Sequence, residues 1–418
     1  MPPSFSTASQ QRVSPTDYLD SRYSWIRLFV SVLLATLGSG GMWSIIVILP
    51  QVQDEFGINR GEASLAFTAV MIGFGLGNLI VGRLVDRFGI FIPLLLSCLL
   101  ISGGFYLSTV VSSFWLFSVI QGTMIGLGTS TLFGPLMSDI SHWFFKRLGI
   151  AIATAASGNY FAGCFWPLFI KDIVATEGWR DAYSLVSIIL LATMLPLVLM
   201  LRRKVPSKVH AASAADQPIQ TMRGETDLQP NMLQGLLVIA GIGCCVAMSM
   251  PQVHIVAYSD DLGYGIERGA EMLSLMLAGG IISRLASGFL ADLFGGIKTL
   301  LLGSVLQCIG LILYLPFDGL TALYIISFIF GLSQGGIVPS YAIIVREYLP
   351  AREAGQRVGL VILATVAGMA LGGWLSGLIY DLTQSYRAAF INGIGWNLLN
   401  IGIMTFVLWR SRLTLQPS

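Results

Sequence analysis

Stretches of about 20 mainly apolar residues recur along almost the whole chain, and as helices rising about 1.5 Å per residue each is long enough to cross a hydrocarbon core of about 30 Å. Twelve such spans are read. The first six cover approximately Ile26 to Leu49, Ala63 to Leu84, Ile90 to Thr109, Phe114 to Met137, Leu148 to Ile170 and Asp181 to Leu201. The second six cover approximately Met232 to Ala257, Ala270 to Ala291, Lys298 to Leu315, Leu320 to Val345, Val358 to Ile379 and Ala388 to Trp409. Only 11% of the 418 residues are charged, against roughly 25% in an ordinary soluble chain, so a soluble α/β enzyme is excluded. Many spans hold Gly and some hold Pro, which membrane helices tolerate where neighbours cover the freed backbone groups.

The longest polar break, Arg202 to Pro230, includes "RRKVPSKVHAASAADQPIQ" and has the composition of a disordered linker. It divides the chain into a tail (1–24), a six-helix bundle (25–201), a linker (202–231), a second six-helix bundle (232–410) and a short tail (411–418). The bundles repeat one another. "GRLVDRFG" at Gly82 to Gly89 returns as "GFLADLFG" at Gly288 to Gly295, 206 residues on, and Pro135 and Pro339 stand 204 apart. The expected fold is therefore an all-α membrane protein of twelve transmembrane helices in two pseudo-symmetric six-helix bundles. Duplicated bundles of this kind hold substrate between the halves and rock around it.

Lysine and arginine set the orientation. With a cytoplasmic N-terminus, eighteen basic residues fall on the inner side, whereas the outer side has only Arg60, Lys171, Arg180, Arg268 and Arg387. Both termini are expected in the cytoplasm. One basic residue of the 24, Arg284, belongs to neither side. It sits in "GGIISRLASGFLADLFGG", with no acid until Asp292, roughly 12 Å further along the axis.

Several function classes drop out. The net charge of +2 reflects membrane sidedness and forms no nucleic-acid stripe. Cys98, Cys164, Cys244, Cys245 and Cys308 lack metal or redox spacing and read as small packing residues, so no metal, cofactor or disulfide framework is expected. The first 24 residues are polar, without the apolar core of a removable signal peptide. No H-E-x-x-H, P-loop, G-x-S-x-G or clustered His/Cys set speaks for an enzyme.

Arg284 lies about fourteen residues, or roughly 21 Å, into its span. A charge there costs roughly 2.5 to 3.5 kcal/mol to insert and should face protein or water. A structural arginine tied to backbone carbonyls is one reading. The other is an anion site, because a guanidinium stays charged and offers a planar fork that matches a carboxylate bidentately.

Twelve spans, a central linker and paired G-x-x-x-D-x-x-G loops resemble the major facilitator superfamily over essentially the whole chain. In that resemblance Asp86 and Arg87, with Asp292 in the second copy, form an inward-side gating latch, although Ile90 and Phe91 replace the usual following basic residues and Leu293 replaces the second arginine. A narrower likeness, to monocarboxylate transporters and oxalate/formate exchangers, rests on "WFFKRLGIAIATAASGNYFAG" (Trp143 to Gly163), "GWR" (Gly178 to Arg180), "PQVHIVAYSDDLG" (Pro251 to Gly263) and the eighth-span arginine. It implies that Arg284 takes the substrate carboxylate. It further implies that His254 is placed to exchange a proton, and that Asn159, Tyr160, Phe133 and Gln334 line the cavity. The competing readings are a cap on a tight turn for Asp86 and Arg87, a satisfied structural histidine for His254, and simple helix packing for Asn159, Tyr160, Phe133 and Gln334.

Two polar partners of that branch are missing, since Trp43 stands where a first-span lysine is common and Gly280 where an acid or amide precedes the arginine. No Asp or Glu lies deep inside any span, so proton coupling through a buried carboxylate has no support. The expectation is a monomeric plasma-membrane (bacterial inner-membrane) carrier of small organic anions, chiefly monocarboxylates, with protons as the other candidate partner. The alternatives are an exporter of a drug-like or sugar solute, or a nutrient receptor that binds without turnover. A drug exporter would carry an arginine in the fourth span and Gly-Pro in the fifth, and neither is present.

Overall fold

The computed structural model describes residues 19–144, 147–203, 223–350 and 353–414. Among these, twelve helices are long and apolar enough to cross a membrane. They are α1 (Arg22–Phe56), α2 (Arg60–Phe88), α3 (Phe91–Val110), α4 (Phe114–Ser141), α5 (Leu148–Thr176), α6 (Trp179–Met200), α7 (Pro230–Asp261), α8 (Ile266–Phe294), α9 (Gly296–Leu313), α10 (Leu320–Tyr348), α11 (Ala354–Thr383) and α12 (Tyr386–Trp409). Several outrun their apolar stretch, α1 by four residues at its start and seven at its end, because hydropathy marks the lipid-facing length while the helix continues to its cap. Ser21 caps the start of α1 and the left-handed Gly57 its end.

The repeat recurs as geometry. Gly89 after α2 and Gly295 after α8 have φ of 76° and 82°, and each donates its N–H to the carbonyl four residues back, Val85 at 2.8 Å and Ala291 at 2.9 Å. A left-handed φ with an extended ψ is open only to glycine, which fixes both loop glycines. Helix crossings repeat too. A β-carbon on Gly126 of α4 would lie 2.4 Å from the Val70 carbonyl of α2, and one on Gly331 of α10 would lie 2.0 Å from the Met276 carbonyl of α8. Backbones this close make each half a tight packing unit.

Both central helices of the crossings are broken. α4 contains a π-helical turn at Gln121–Gly126 and a break at Phe133, and α10 is interrupted between Gln334 and Ile337. Pro135 and Pro339 each stand in the first turn of the piece that follows, where a missing N–H costs nothing.

The end of the linker and the start of the tail pair with each other. Strands β1 (Arg223–Thr226) and β2 (Ser411–Thr414) form an antiparallel ribbon with Arg223 opposite Thr414. Gly224 lies against the Tyr348 ring, leaving no room for a β-carbon. The rest of the expected linker, 204–222, lies outside the described residues.

Two long seams join the halves, α2 against α11 and α5 against α8. On the side away from the linker they are tight: Gly61 N–H donates to Asp381 and Lys171 pairs with Glu271. Contacts continue to Gly75 against Leu363 and Val366, and to Ala156 against Arg284. Beyond those levels β-carbons on Gly82, Gly149, Gly288, Gly355 and Gly359 would meet nothing within 4 Å. The halves touch on the far side and part toward the linker side.

Candidate functional site between the halves

Arg284 sits where the α5–α8 seam ends. Its guanidinium carbon lies 4.6 Å from the centre of the Tyr160 ring, Nη1 donates to the Ala156 carbonyl at 3.0 Å and Nε to the Gly335 carbonyl at 3.3 Å. The Gly335 carbonyl is available because α10 breaks there, so the helix interruption creates the acceptor. No carboxylate pairs with Arg284 among the described residues, and Nη2 makes no hydrogen bond there. Carbonyl dipoles and the face of a ring hold this cation without neutralising it.

Gly280, one helical turn before Arg284, explains the geometry. A β-carbon on it would lie 2.4 Å from Cε1 of Tyr160, so the ring rests on bare α8 backbone and the guanidinium closes over it. An acid at this position would evict the ring. The cation–π contact therefore stands in the place of the carboxylate or amide partner expected from the resemblance.

Other expected residues fall into three places. Trp43 is buried, donating Nε1–H to the Asn159 carbonyl at 3.0 Å, while the Asn159 amide reaches Met42 Sδ at 3.5 Å; this ties the second half of α1 to α5 beside Tyr160. Gln334 is fully buried and accepts from Gln252 Nε2 at 2.6 Å, one residue from the carbonyl that holds Arg284. Phe133 packs against Phe74 of α2, ring centres 5.8 Å apart.

His254 stands apart from Arg284, in the far-side seal. Its Nε2 lies 2.8 Å from the Gly373 carbonyl and its Nδ1 3.3 Å from the Tyr386 hydroxyl, which itself accepts from Arg60 Nη1 at 3.0 Å. The consistent assignment is Nε2–H donating to Gly373 and Tyr386 O–H donating to Nδ1. A neutral ring is satisfied at both nitrogens.

The seal itself is ionic, and the sequence reading passed over it. Arg60 makes a two-point pair with Asp261, 2.5 and 2.9 Å, and stacks at 4.0 Å on Tyr380. The N–H groups of Arg60 and Gly61 both donate to Asp381, at 3.0 and 2.6 Å. On the other seam Glu271 accepts from Lys171 at 2.7 Å, Arg268 at 3.0 Å and the Tyr324 hydroxyl. Arg60 and Lys171 had served only as counters of sidedness. The signal for their role was that carboxylates end or begin α7, α8 and α11, on the same side as the few far-side cations.

On the linker side Arg87 and Asp292 are exposed, and Arg87 lies 5.3 Å from the Phe88 ring. The side chain of Asp86 lies outside the described residues. Among the described residues no ion pair spans the halves on this side.

Two duplicated bundles, sealed at one end and parted at the other around a lone cation, define a transporter. The sequence profile of the Major Facilitator Superfamily matches residues 28–288 and 269–417, and the chain belongs to that superfamily. The uncharacterized MFS-type transporter YcxA of Bacillus subtilis is 27% identical over 379 residues, 87% of this chain and 90% of its own. Rat monocarboxylate transporter 13 is 26% identical over 287 residues, 68% of this chain and 65% of its own. Among solved structures, a bacterial homologue of the lysosomal transporter Spinster, inward-facing and occupied, matches with a TM-score of 0.71 at 13% identity over 94% of this chain and 98% of its own. The nucleoside transporter NupG matches with a TM-score of 0.69 at 10% identity over 92% and 99%. These two show the fold.

Proposed function

We propose that this transporter carries small organic anions, chiefly monocarboxylates, by alternating access across the plasma membrane, the inner membrane of a bacterium. The basic-residue asymmetry supports a cytoplasmic linker and cytoplasmic termini, and in that orientation the state described is open inward. One observation carries the substrate reading: among the described residues the Arg284 guanidinium has no carboxylate partner and its Nη2 no hydrogen bond, and it stands at the level where the halves part. A carboxylate entering from the open side completes the fork. The likeness to monocarboxylate transporter 13 supports the same class.

Thermal-shift measurements on the purified carrier against a panel of carboxylates test this, since a ligand of the native state stabilises it by mass action. Carboxylates should raise the Tm of the wild type, and Arg284→Lys should remain folded while losing most of that response. Equal responses in the two proteins, or stabilisation only by uncharged solutes, would remove the anion reading.

A further inference from the structure

Gln252 of α7 and Gln334 of α10 are 2% and 0% exposed, and a single hydrogen bond of 2.6 Å joins their amides. Two primary amides have the capacity for far more. Among the described residues Oε1 of Gln252 and Nε2 of Gln334 have no partner, leaving one acceptor and one donor orphaned in a buried place. Exchanging O and N in both amides moves the orphans but still leaves one of each kind.

The pair is not a requirement of the fold. The repeat relates Gln252 to Ile46 of α1, and the register of the two prolines relates Gln334 to Ser130 of α4. Ile46 is fully buried and apolar, and the Ser130 hydroxyl is satisfied by the Leu127 carbonyl of its own helix at 2.6 Å. One half closes this position without an amide pair and the other spends two glutamines on it. Each glutamine also adjoins a helix irregularity, Gln252 following Pro251 and Gln334 ending the first piece of α10. The next residue, Gly335, holds Arg284 through its carbonyl at 3.3 Å.

We propose that Gln252 and Gln334 form a neutral hydrogen-bonding subsite that reads a hydroxyl or amide group on the body of the carboxylate held by Arg284. Such a group donates to the orphaned acceptor and accepts from the orphaned donor. A plain alkyl chain does neither, and an oxo group only accepts. The assignment rests on the anion-carrier reading above and narrows it to carboxylates that carry a second, uncharged group able to donate and accept. Sites that hydrogen-bond a substrate group discriminate strongly against analogues lacking it, because the buried partners are then left unpaired.

The test measures affinities of the purified full-length carrier for butanoate, 2-oxobutanoate, the 2-, 3- and 4-hydroxybutanoates and succinamate. At least one hydroxy or amide acid should bind about tenfold or more tightly than butanoate and the oxo acid. In Gln252→Leu and Gln334→Leu that ratio should fall below about threefold. Should either leucine variant fail to fold, Gln252→Met and Gln334→Met make the same comparison with a side chain closer in shape. A flat panel in the wild type, or a preference that survives in the variants, overturns the subsite while leaving the anion reading standing. If no carboxylate binds at all, both fall together.

Discussion

Replacing Asp261 with asparagine should open the far-side seal by a measurable amount. The substitution keeps the size but leaves one acceptor where two carboxylate oxygens meet Arg60 at 2.5 and 2.9 Å, and it removes the charge. The two side chains are 13% and 28% exposed, so the pair lies between a surface ion pair of about 0 to 1 kcal/mol and a buried one whose breakage costs about 3 to 5 kcal/mol. Arg60 keeps the Tyr386 hydroxyl at 3.0 Å and Gln53 Oε1 at 3.3 Å, which limits the loss. About 1 to 2 kcal/mol is a reasonable net effect, and at about 1.4 kcal/mol per factor of ten it multiplies the far-side-open population about five- to thirtyfold.

Ser64 provides the reporter. It is 1% exposed, its hydroxyl donates to the Arg60 carbonyl, and a β-carbon on Gly377 across the seam would lie 2.9 Å from it. In a background with the five native cysteines replaced, Ser64→Cys should react with an impermeant thiol reagent only when the seam opens. Its labelling rate should rise about five- to thirtyfold when Asp261→Asn is added. An unchanged or slower rate would show that the Arg60–Asp261 pair does not hold the halves shut.

Three further outcomes are expected. On the anion reading proposed above, a loaded carrier moves Arg284 through the closed state neutralised by its substrate, whereas an empty one moves an unpaired cation, so proteoliposomes preloaded with substrate should take up label faster than empty ones; equal initial rates at saturation count against this. Gly280→Ala should displace Tyr160 from its 2.4 Å berth and lower the Tm of the empty carrier, overpacking costing about 1 to 3 kcal/mol, and an unchanged Tm would mean the ring has room to give. Ser213→Cys should be labelled from the cytoplasmic side alone, and labelling of intact cells by an impermeant reagent would invert the orientation.

The architecture was legible because lipid allows so few solutions. Span length, the linker composition and the repeated loop glycines each carry a physical meaning that survives without coordinates. Arg284 was legible for the same reason, as a charge that apolar surroundings must explain. Its Tyr160 platform was half legible. Tyr160 stood among the cavity residues, but Gly280 looked like a missing partner when it is a bare surface on which the ring lies. A glycine's function is in what approaches it, and sequence spacing within one helix does not report on the neighbouring helix. His254 went to the seal for a related reason: its partners, Gly373 and Tyr386, arrive from α11 and α12, more than a hundred residues away. The seal's carboxylates stand at helix ends, where composition cannot separate a solvated charge from one facing a cation on the other half.

Four of the five far-side basic residues, Arg60, Lys171, Arg180 and Arg268, are engaged in ion pairs, and two of those pairs join the halves. In the orientation proposed above, the scarcity of cations on that face also directs insertion during biosynthesis, where lysine and arginine count and carboxylates contribute little. Assembly and gating thus draw on one small pool of residues under opposing demands. A tighter outer closure cannot be engineered by planting more arginines there without eroding the asymmetry that inserts the protein the right way round. Added acids opposite the cations already present are free of that conflict, so evolutionary or designed tuning of this closure should appear in its Asp and Glu positions while the basic set stays small.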